Sequence, residues 1–447
     1  MRIHFIAIGG AVMHNLAIAL KNKGYEVTGS DDEIFDPSRS RLDKNGLLPE
    51  AFGWHPEKIA SDLDAVILGM HAREDNPELI KAKALGIKIY SFPEFVYAQT
   101  KDKTRVVIGG SHGKTTITTM IIHALQGSGV NCDYLVGAQL EGFELTVKLT
   151  DKAQVVVIEG DEYLTSALDR RPKFHVYKPH VALISGIEWD HKNVFPTWEN
   201  YKSQFVTFIK TIESKGTLIY CEEDAVVEEI VRNDITRCIK IPYLTPDYSV
   251  AGSGTEIHYM GKNFPMQVFG KHNMLNLNGA ALVCMQLGLS RQEFYRNMST
   301  FSGASNRLEK IRDDVDMVVF RDFAHAPSKV RATVAAVREQ YPTHHLIAVF
   351  ELHTFSSLSA GFLPFYKDSM HLADRALVYF NPHVLALKRL APLTISQVKS
   401  AFGDGVEVVD DAAQIAPYIT KKKHGKCVLL LMSSGDFGGI VSSLIHS

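Results

Sequence analysis

Eight residues, Gly109-Gly110-Ser111-His112-Gly113-Lys114-Thr115-Thr116, follow a short apolar run, Arg105 to Ile108, and precede a long apolar-periodic segment, Ile117 to Gln126. That order predicts a strand, a glycine-rich turn and a helix, the signature of an α/β layer. Such a turn aims several backbone N–H groups at one point, and the helix N-terminus adds partial positive charge. A polyphosphate fits there with a lysine closing over it. Gly110, Ser111, His112, Gly113, Lys114, Thr115 and Thr116 are therefore candidate phosphate contacts, Thr115 offering its hydroxyl to Mg²⁺. The general phosphate-loop pattern needs glycine where Ile108 stands, so only the shorter Gly109-x-x-x-Gly113-Lys114-Thr115 spacing is met. A plain βα connection is the competing reading.

A chain of 447 residues exceeds one ordinary core and suggests about three domains. Its net charge of -2 provides no basic field for nucleic acid or an anionic membrane, so an anionic ligand has to be held locally. The five cysteines form no C-x-x-C pair, which suits a reducing compartment and argues against a zinc cluster. The apolar start, Ile3 to Ile8, is too short for a signal peptide and no later run reaches membrane-spanning length. A cytoplasmic protein without membrane insertion is expected.

Ile3 to Ile8 reads as a buried parallel strand ending in Gly9-Gly10, before a helix over Val12 to Lys23. The next strand, Glu26 to Thr28, leads to Ser30 and Asp31, which places a carboxylate about twenty residues after the glycine turn, as in a mononucleotide-binding βαβ unit. The dinucleotide fingerprint fails at Ala11 and His14, so NAD is weakly supported and another nucleotide is as easily accommodated. Further strands are expected at Ala65 to Leu68 and Ile87 to Tyr90, with Asn76-Pro77 opening a helix.

After a polar stretch at Thr100 to Thr104, the run Val155 to Ile158 delivers Glu159-Gly160-Asp161-Glu162 at a strand end. Val181 to Ile184 delivers Ser185 to His191 at the same edge, so Glu159 and His191 are candidate ligands of metal ions bridging phosphates. Surface caps are the alternative for both. Trp198, Tyr201, Phe205 and Phe208 recur at helical spacing, which reads as a core stripe. Asn273 and Asn276 stand at a helix start, able to cap it or to read a purine edge. A third α/β unit then places polar loops after three strands: Arg321 to Pro327, Glu351 to Ser357 and Ser433 to Gly439.

Taken together, these segments resemble the Mur ligase family, ATP-dependent enzymes that join amino acids or peptides to UDP-N-acetylmuramic acid. The phosphate loop, Glu159-Gly160-Asp161-Glu162, Ile187 to His191, His272-Asn273-x-x-Asn276, Asn306-Arg307 and Asp322 to Pro327 each look like a family segment. Ala326 departs from a second histidine usual in the nearest branches, and Phe205 stands where many relatives carry a carbamylated lysine; Lys202 lies one helical turn away.

The resemblance implies three domains: a Rossmann-like UDP-sugar domain at 1–101, a P-loop ATPase-like domain at 102–304 and an α/β ligase domain at 305–447. It implies ATP and Mg²⁺, with Lys114, Glu159, His191, Arg307 and Asp322 in catalysis and Thr115, Glu159 and His191 on metal. Asn273, Asn276 and Arg307 would face the nucleotide, and Gly9, Gly10, Ser30, Asp31 and His71 the UDP-sugar. Two branches share these features, one taking L-alanine and the other the murein tripeptide L-Ala-γ-D-Glu-meso-diaminopimelate. Asp161-Glu162-Tyr163, Asp169 to Phe174 and Ser434 to Gly439 are more similar to the tripeptide branch, which recycles murein, and the tripeptide is the expected partner of UDP-N-acetylmuramate. The rival classes are a dinucleotide-dependent oxidoreductase and a non-catalytic nucleotide-binding module.

Overall fold

The computed structural model describes residues 1–137, 143–189, 194–252, 254–420 and 425–439. The apolar runs singled out above are its strands. In the first sheet the parallel order is Glu26–Ser30, Arg2–Ile6, Ala65–Leu68, Ile89–Ser91. Ala65–Leu68 is buried along its whole length, whereas the edge strand Glu26–Ser30 exposes Glu26 and Thr28, so the former reads as a continuous apolar run and the latter does not. Helix Pro77–Ala84 starts as expected, the Asn76 side chain accepting from Glu78 N and Leu79 N.

The second sheet has the order Ile239–Tyr243, Thr217–Cys221, Val181–Ile184, Thr104–Gly109, Val155–Glu159, Cys132–Leu135, Val147–Lys148, with only the last pair antiparallel. Thr104–Gly109 lies between Val181–Ile184 and Val155–Glu159, so the phosphate loop emerges between the two strand ends that the sequence marks as acidic. Helix Lys114–Gly127 follows at once. Tyr248–Ala251, Gly254–Tyr259 and Lys262–Met266 form a small antiparallel sheet of three strands.

The fourth sheet runs Glu309–Asp313, Met317–Asp322, Cys427–Met432, His345–Leu352, Arg375–Phe380, Val406–Val409, parallel except for the first pair. Both of its faces are covered. Leu346, Ala348 and Phe350 pack with Val330, Val334 and Val337 of helix Pro327–Gln340, while Ile347 and Val349 pack with Ile415 and Ile419 on the other side. Successive residues of a strand point to opposite faces, so burial on both sides demands an unbroken apolar run.

The chain forms two compact units. One is built from Met1–Trp189, Pro196–Leu244 and Gly279–Asn297 and holds the first two sheets; the other is built mainly from Thr245–Asn278 and Met298 onwards. Among the described residues no helix is long and apolar enough to cross a membrane.

Inside the first unit a His–Glu pair is fully buried. His4 Nε2 lies 3.3 Å from Glu78 Oε2, and His55 N donates to Glu78 Oε1 at 2.6 Å. Burial alone would raise the Glu78 pKa, but the hydrogen bonds from His4, Ser30 and His55 N outweigh it and the net shift is downward. A carboxylate whose folded pKa is depressed stabilises the fold above its unfolded value of about 4.3 and loses that contribution as pH falls through the folded value. The melting temperature of the wild type is therefore expected to fall more steeply below about pH 4 than that of Glu78→Gln. Parallel pH profiles in a thermal-melt series would refute this.

Candidate functional site

The phosphate loop owes its path to its glycines. Gly110 sits at φ +130°, where a Cβ would come within 2.2 Å of Ser185 Oγ, and Gly113 takes φ +76° immediately before the helix. The first turn of that helix carries no acidic residue, leaving its amide end available to an anion. Ser111 N donates to Gly186 O at 2.9 Å, and Ser185 Oγ donates to both Gly109 O and His112 O.

Lys114 and Thr115 open the helix facing Glu159 at the end of Val155–Glu159 and Glu162 just beyond it. Thr115 Oγ1 donates to Glu159 Oε1 at 2.9 Å, and Gly137 N donates to Glu159 Oε2 at 2.8 Å. Lys114 Nζ is 2.6 Å from Gly110 O and 2.7 Å from Glu162 Oε2. Burial would lower the Lys114 pKa; the charges of Glu162, Asp161 and Glu159 more than reverse this and raise it, so the ammonium stays charged. Lys114, Thr115 and Glu159 are thus brought together, while the convergence expected was that of Glu159 with His191. His191 lies outside the described residues.

Two further side chains belong to this cluster. Glu162, only 1% exposed, is the counter-ion of Lys114, and Tyr201 reaches the loop with its hydroxyl 2.8 Å from Ser111 Oγ and 3.4 Å from Glu162 Oε1. Glu162 appeared in the sequence only as one of three strand-end carboxylates, and Tyr201 only as part of an aromatic stripe. Phe205 and Phe208 do pack in the core against Phe174. Lys202 points elsewhere and pairs with Glu229 at 3.1 Å.

The oxygen donors of Thr115 and Glu159 suit Mg²⁺, which binds through one or two protein oxygens and completes its shell with phosphate and water. Among the described residues no group of three His, Cys, Asp or Glu is placed to hold a metal ion.

The first sheet gathers its own cluster. Ile6 pairs with Ser30 on one side and Leu68 on the other, so Gly9, Gly10, Asp31 and His71 all follow at one carboxyl edge. Asp31 is 1% exposed and both its oxygens are taken, Oδ2 by Gly9 N at 2.7 Å and Oδ1 by Asp32 N at 3.0 Å. Burial holds its carboxyl up at about 6 despite the Gly9 hydrogen bond. The geometry makes Asp31 a brace for the glycine turn. A Cβ on Gly9 would lie 2.9 Å from Asp31 Oδ2. Ser30 is buried beneath this turn, its carbonyl accepting from Ala7 N and Ile8 N, and His71 is exposed. His14 fills the place of the dinucleotide motif's third glycine, its buried ring within 2.9 Å of Gly10 O and 3.0 Å of Ser38 Oγ. That imidazole argues against a dinucleotide in this turn.

In the second unit Arg307 and Asp322 are brought together. Asp322 accepts from Leu308 N at 2.6 Å, Ala324 N at 2.7 Å and Thr333 Oγ1 at 3.3 Å, tying the 306–308 turn to the end of its strand. Burial raises its pKa against the pull of Arg307 and these donors. The Arg307 guanidinium lies over the Phe323 ring at 4.6 Å. Asn273 and Asn276 are buried, and Asn273 Nδ2 donates to Phe269 O at 2.9 Å, so one of its amide bonds is structural. The three polar loops meet at one sheet edge: Asp322 and Phe350 both pair with Met432, and Ser433 N donates to Asp322 O. There the buried Glu351 accepts from Ser433 Oγ and Phe437 N, with His353 Nδ1 3.7 Å from its other oxygen. Gly435 is required, because a Cβ would stand 2.6 Å from His353 Nδ1. The polar turn that begins at Ser433 is packed on these two side chains.

Residues 2–104 match the catalytic domain of the Mur ligase family, 108–284 the Mur ligase middle domain, and 306–435 the Mur ligase glutamate ligase domain. The UDP-N-acetylmuramate–L-alanine ligase of Caldanaerobacter subterraneus subsp. tengcongensis is 31% identical over 97% of this chain and 95% of its own. Among solved structures, a murein peptide ligase from Psychrobacter arcticus aligns with TM-score 0.67 and 24% identity, covering 100% of this chain and 98% of that one. A UDP-N-acetylmuramate–alanine ligase from Thermotoga maritima aligns with TM-score 0.71 and 20% identity at the same coverage.

Proposed function

The chain belongs to the Mur ligase family of ATP-dependent ligases, and from that premise we propose that it joins an amine to the lactyl carboxylate of UDP-N-acetylmuramate through an acyl phosphate. The observation that carries this reading is Lys114 and Thr115 at an open helix N-terminus beside Glu159 and Glu162. Two anions have to meet when a carboxylate attacks the γ-phosphate of ATP. Lys114 supplies positive charge to the transferring phosphoryl group, and the loop amides hold the remaining phosphate oxygens. Thr115 and Glu159 would hold Mg²⁺, which when bound screens the charge of the bridging phosphate oxygens. Arg307, placed by Asp322, is the cation that the second unit offers to the nucleotide. The first-sheet edge, Gly9, Gly10, Ser30 and His71 with Asp31 as brace, takes the UDP-sugar. The reaction is assigned to the cytoplasm, where its nucleotide substrates are made.

For the amine, L-alanine now takes precedence over the tripeptide, because the relative at 31% identity is named for L-alanine. The tripeptide remains a second reading on one observation. The loop after Glu162 is braced by Thr165 N to Arg171 O, Lys173 N to Tyr163 O and the Lys173–Asp161 pair, and with helix Trp198–Lys210 it borders a groove of about 650 Å³ lined by Arg170, Arg171 and His175. That is more room than L-alanine needs, although Asp169 also lines the groove and already pairs with Arg171.

The test is mass spectrometry of the product formed from UDP-N-acetylmuramate, ATP and Mg²⁺ with L-alanine and the tripeptide in competition. The L-alanyl adduct is expected. A tripeptide adduct would move the assignment to the second reading, and nucleotide binding without any adduct would make the chain a non-catalytic module.

A further inference from the structure

The hydroxyls around the phosphate loop form a connected chain. Ser111 Oγ accepts from Glu188 N at 2.8 Å and lies 2.8 Å from Tyr201 OH. Tyr201 in turn donates to Glu162 Oε1, and the second oxygen of Glu162 takes Lys114 Nζ at 2.7 Å. Tyr201 is 0% exposed, held by Phe205 edge to face at 5.4 Å, and the Glu162 side chain is 1% exposed. Tyr201 and Glu162 have no room to relax into water, whereas the Lys114 side chain is 14% exposed. Lys114 is thus not poised outward in the nucleotide-free fold: its charge is spent on a buried carboxylate and on Gly110 O.

We infer that Glu162, set by Tyr201 and Ser111, is a retaining counter-ion for Lys114 that a nucleotide phosphate has to displace, making Glu162 and Tyr201 positioning residues that tune ATP affinity. The inference rests on the proposed ATP-dependent function. A phosphate entering the loop exchanges one charge-assisted hydrogen bond of Lys114 for another and meets Glu162 as a like charge, so the carboxylate opposes binding twice. Tyr201 stabilises the same carboxylate, which lessens its demand on the ammonium. The two residues therefore act in opposite senses on one lysine.

This opposition gives the test, isothermal titration of the intact protein with ATP and Mg²⁺ in the absence of UDP-N-acetylmuramate. Glu162→Gln keeps the shape and removes the charge, and it is expected to tighten ATP binding by about tenfold, the size of one charge-assisted contact. Tyr201→Phe removes the donor, leaves Glu162 more dependent on Lys114, and is expected to weaken ATP binding by about threefold. A purely structural role would weaken binding in both variants, and that result, or Kd values within twofold of wild type in both, overturns the inference. Circular dichroism melts establish that each variant is folded before titration. A wild type that binds no ATP would instead overturn the proposed function, so the two failures are distinguishable.

Discussion

Lys114→Ala is expected to lower UDP-N-acetylmuramate-dependent phosphate release by about 10³-fold, the scale of losing a preorganised charge at a phosphoryl or oxyanion centre. The same substitution is also expected to destabilise the protein. It removes the ammonium paired with Glu162, whose side chain is 1% exposed, and breaking a buried pair from one side costs about 3 kcal/mol or more. The two effects separate in a double variant. Lys114→Ala with Glu162→Gln removes the stranded charge, so its urea midpoint should return toward wild type while phosphate release stays about 10³-fold down. If activity recovered together with stability, Lys114 would be a structural lysine and the phosphoryl-transfer role assigned to it would fall.

That a loss at Lys114 has a structural component could not be read from the chain. Gly109 to Thr116 is legible because its information is local: a buried strand, glycines at positive φ and a helix lie consecutively. The same holds for Val155–Glu159 and Val181–Ile184, whose burial on both faces writes itself as unbroken apolar runs. Strand order is not local. Nothing in the run Thr104–Gly109 says that Ile108 will pair with Glu159, yet that register puts Thr115 against the Glu159 carboxylate. Edge strands such as Glu309–Asp313 and Ile239–Tyr243, with exposed and half-buried residues along them, lack the continuous signal and were not anticipated.

Side chains with two loyalties were hardest to place. Tyr201 obeys the helical stripe that marks a core residue, and its ring is in the core, but its hydroxyl serves Ser111, 90 residues away. Asp31 was legible as a strand-end carboxylate about twenty residues after the glycine turn, and it is at that strand end; its partner, however, is Gly9 N rather than open space for a ribose. Charge and spacing locate a carboxylate, whereas its remaining hydrogen-bonding capacity depends on the fold.

Arg105 extends this point to stability, since the sequence shows it only as the first residue of an apolar run. It is 2% exposed and acts as a fork between the end of helix Phe92–Thr100 and the strand that leads to the phosphate loop. Nε donates to Tyr177 O and Lys178 O, both at 2.9 Å; Nη1 donates to Thr100 O, Lys101 O and Lys103 O; Nη2 meets Glu213 at 3.1 Å. Arg105→Met is expected to cost about 3 kcal/mol, because the buried carbonyls of Tyr177 and Thr100 lose their donor and three partly buried ones lose theirs as well. Arg105→Lys should recover only a part, an ammonium having three donors and no planar fork. Glu213→Gln, by contrast, is expected to cost less than about 1 kcal/mol, since that carboxylate is 38% exposed and its ion pair is screened. Urea denaturation of the three variants decides between the two contributions. Equal losses for Glu213→Gln and Arg105→Met would mean that the ion pair, and not the set of carbonyls, is what Arg105 holds together.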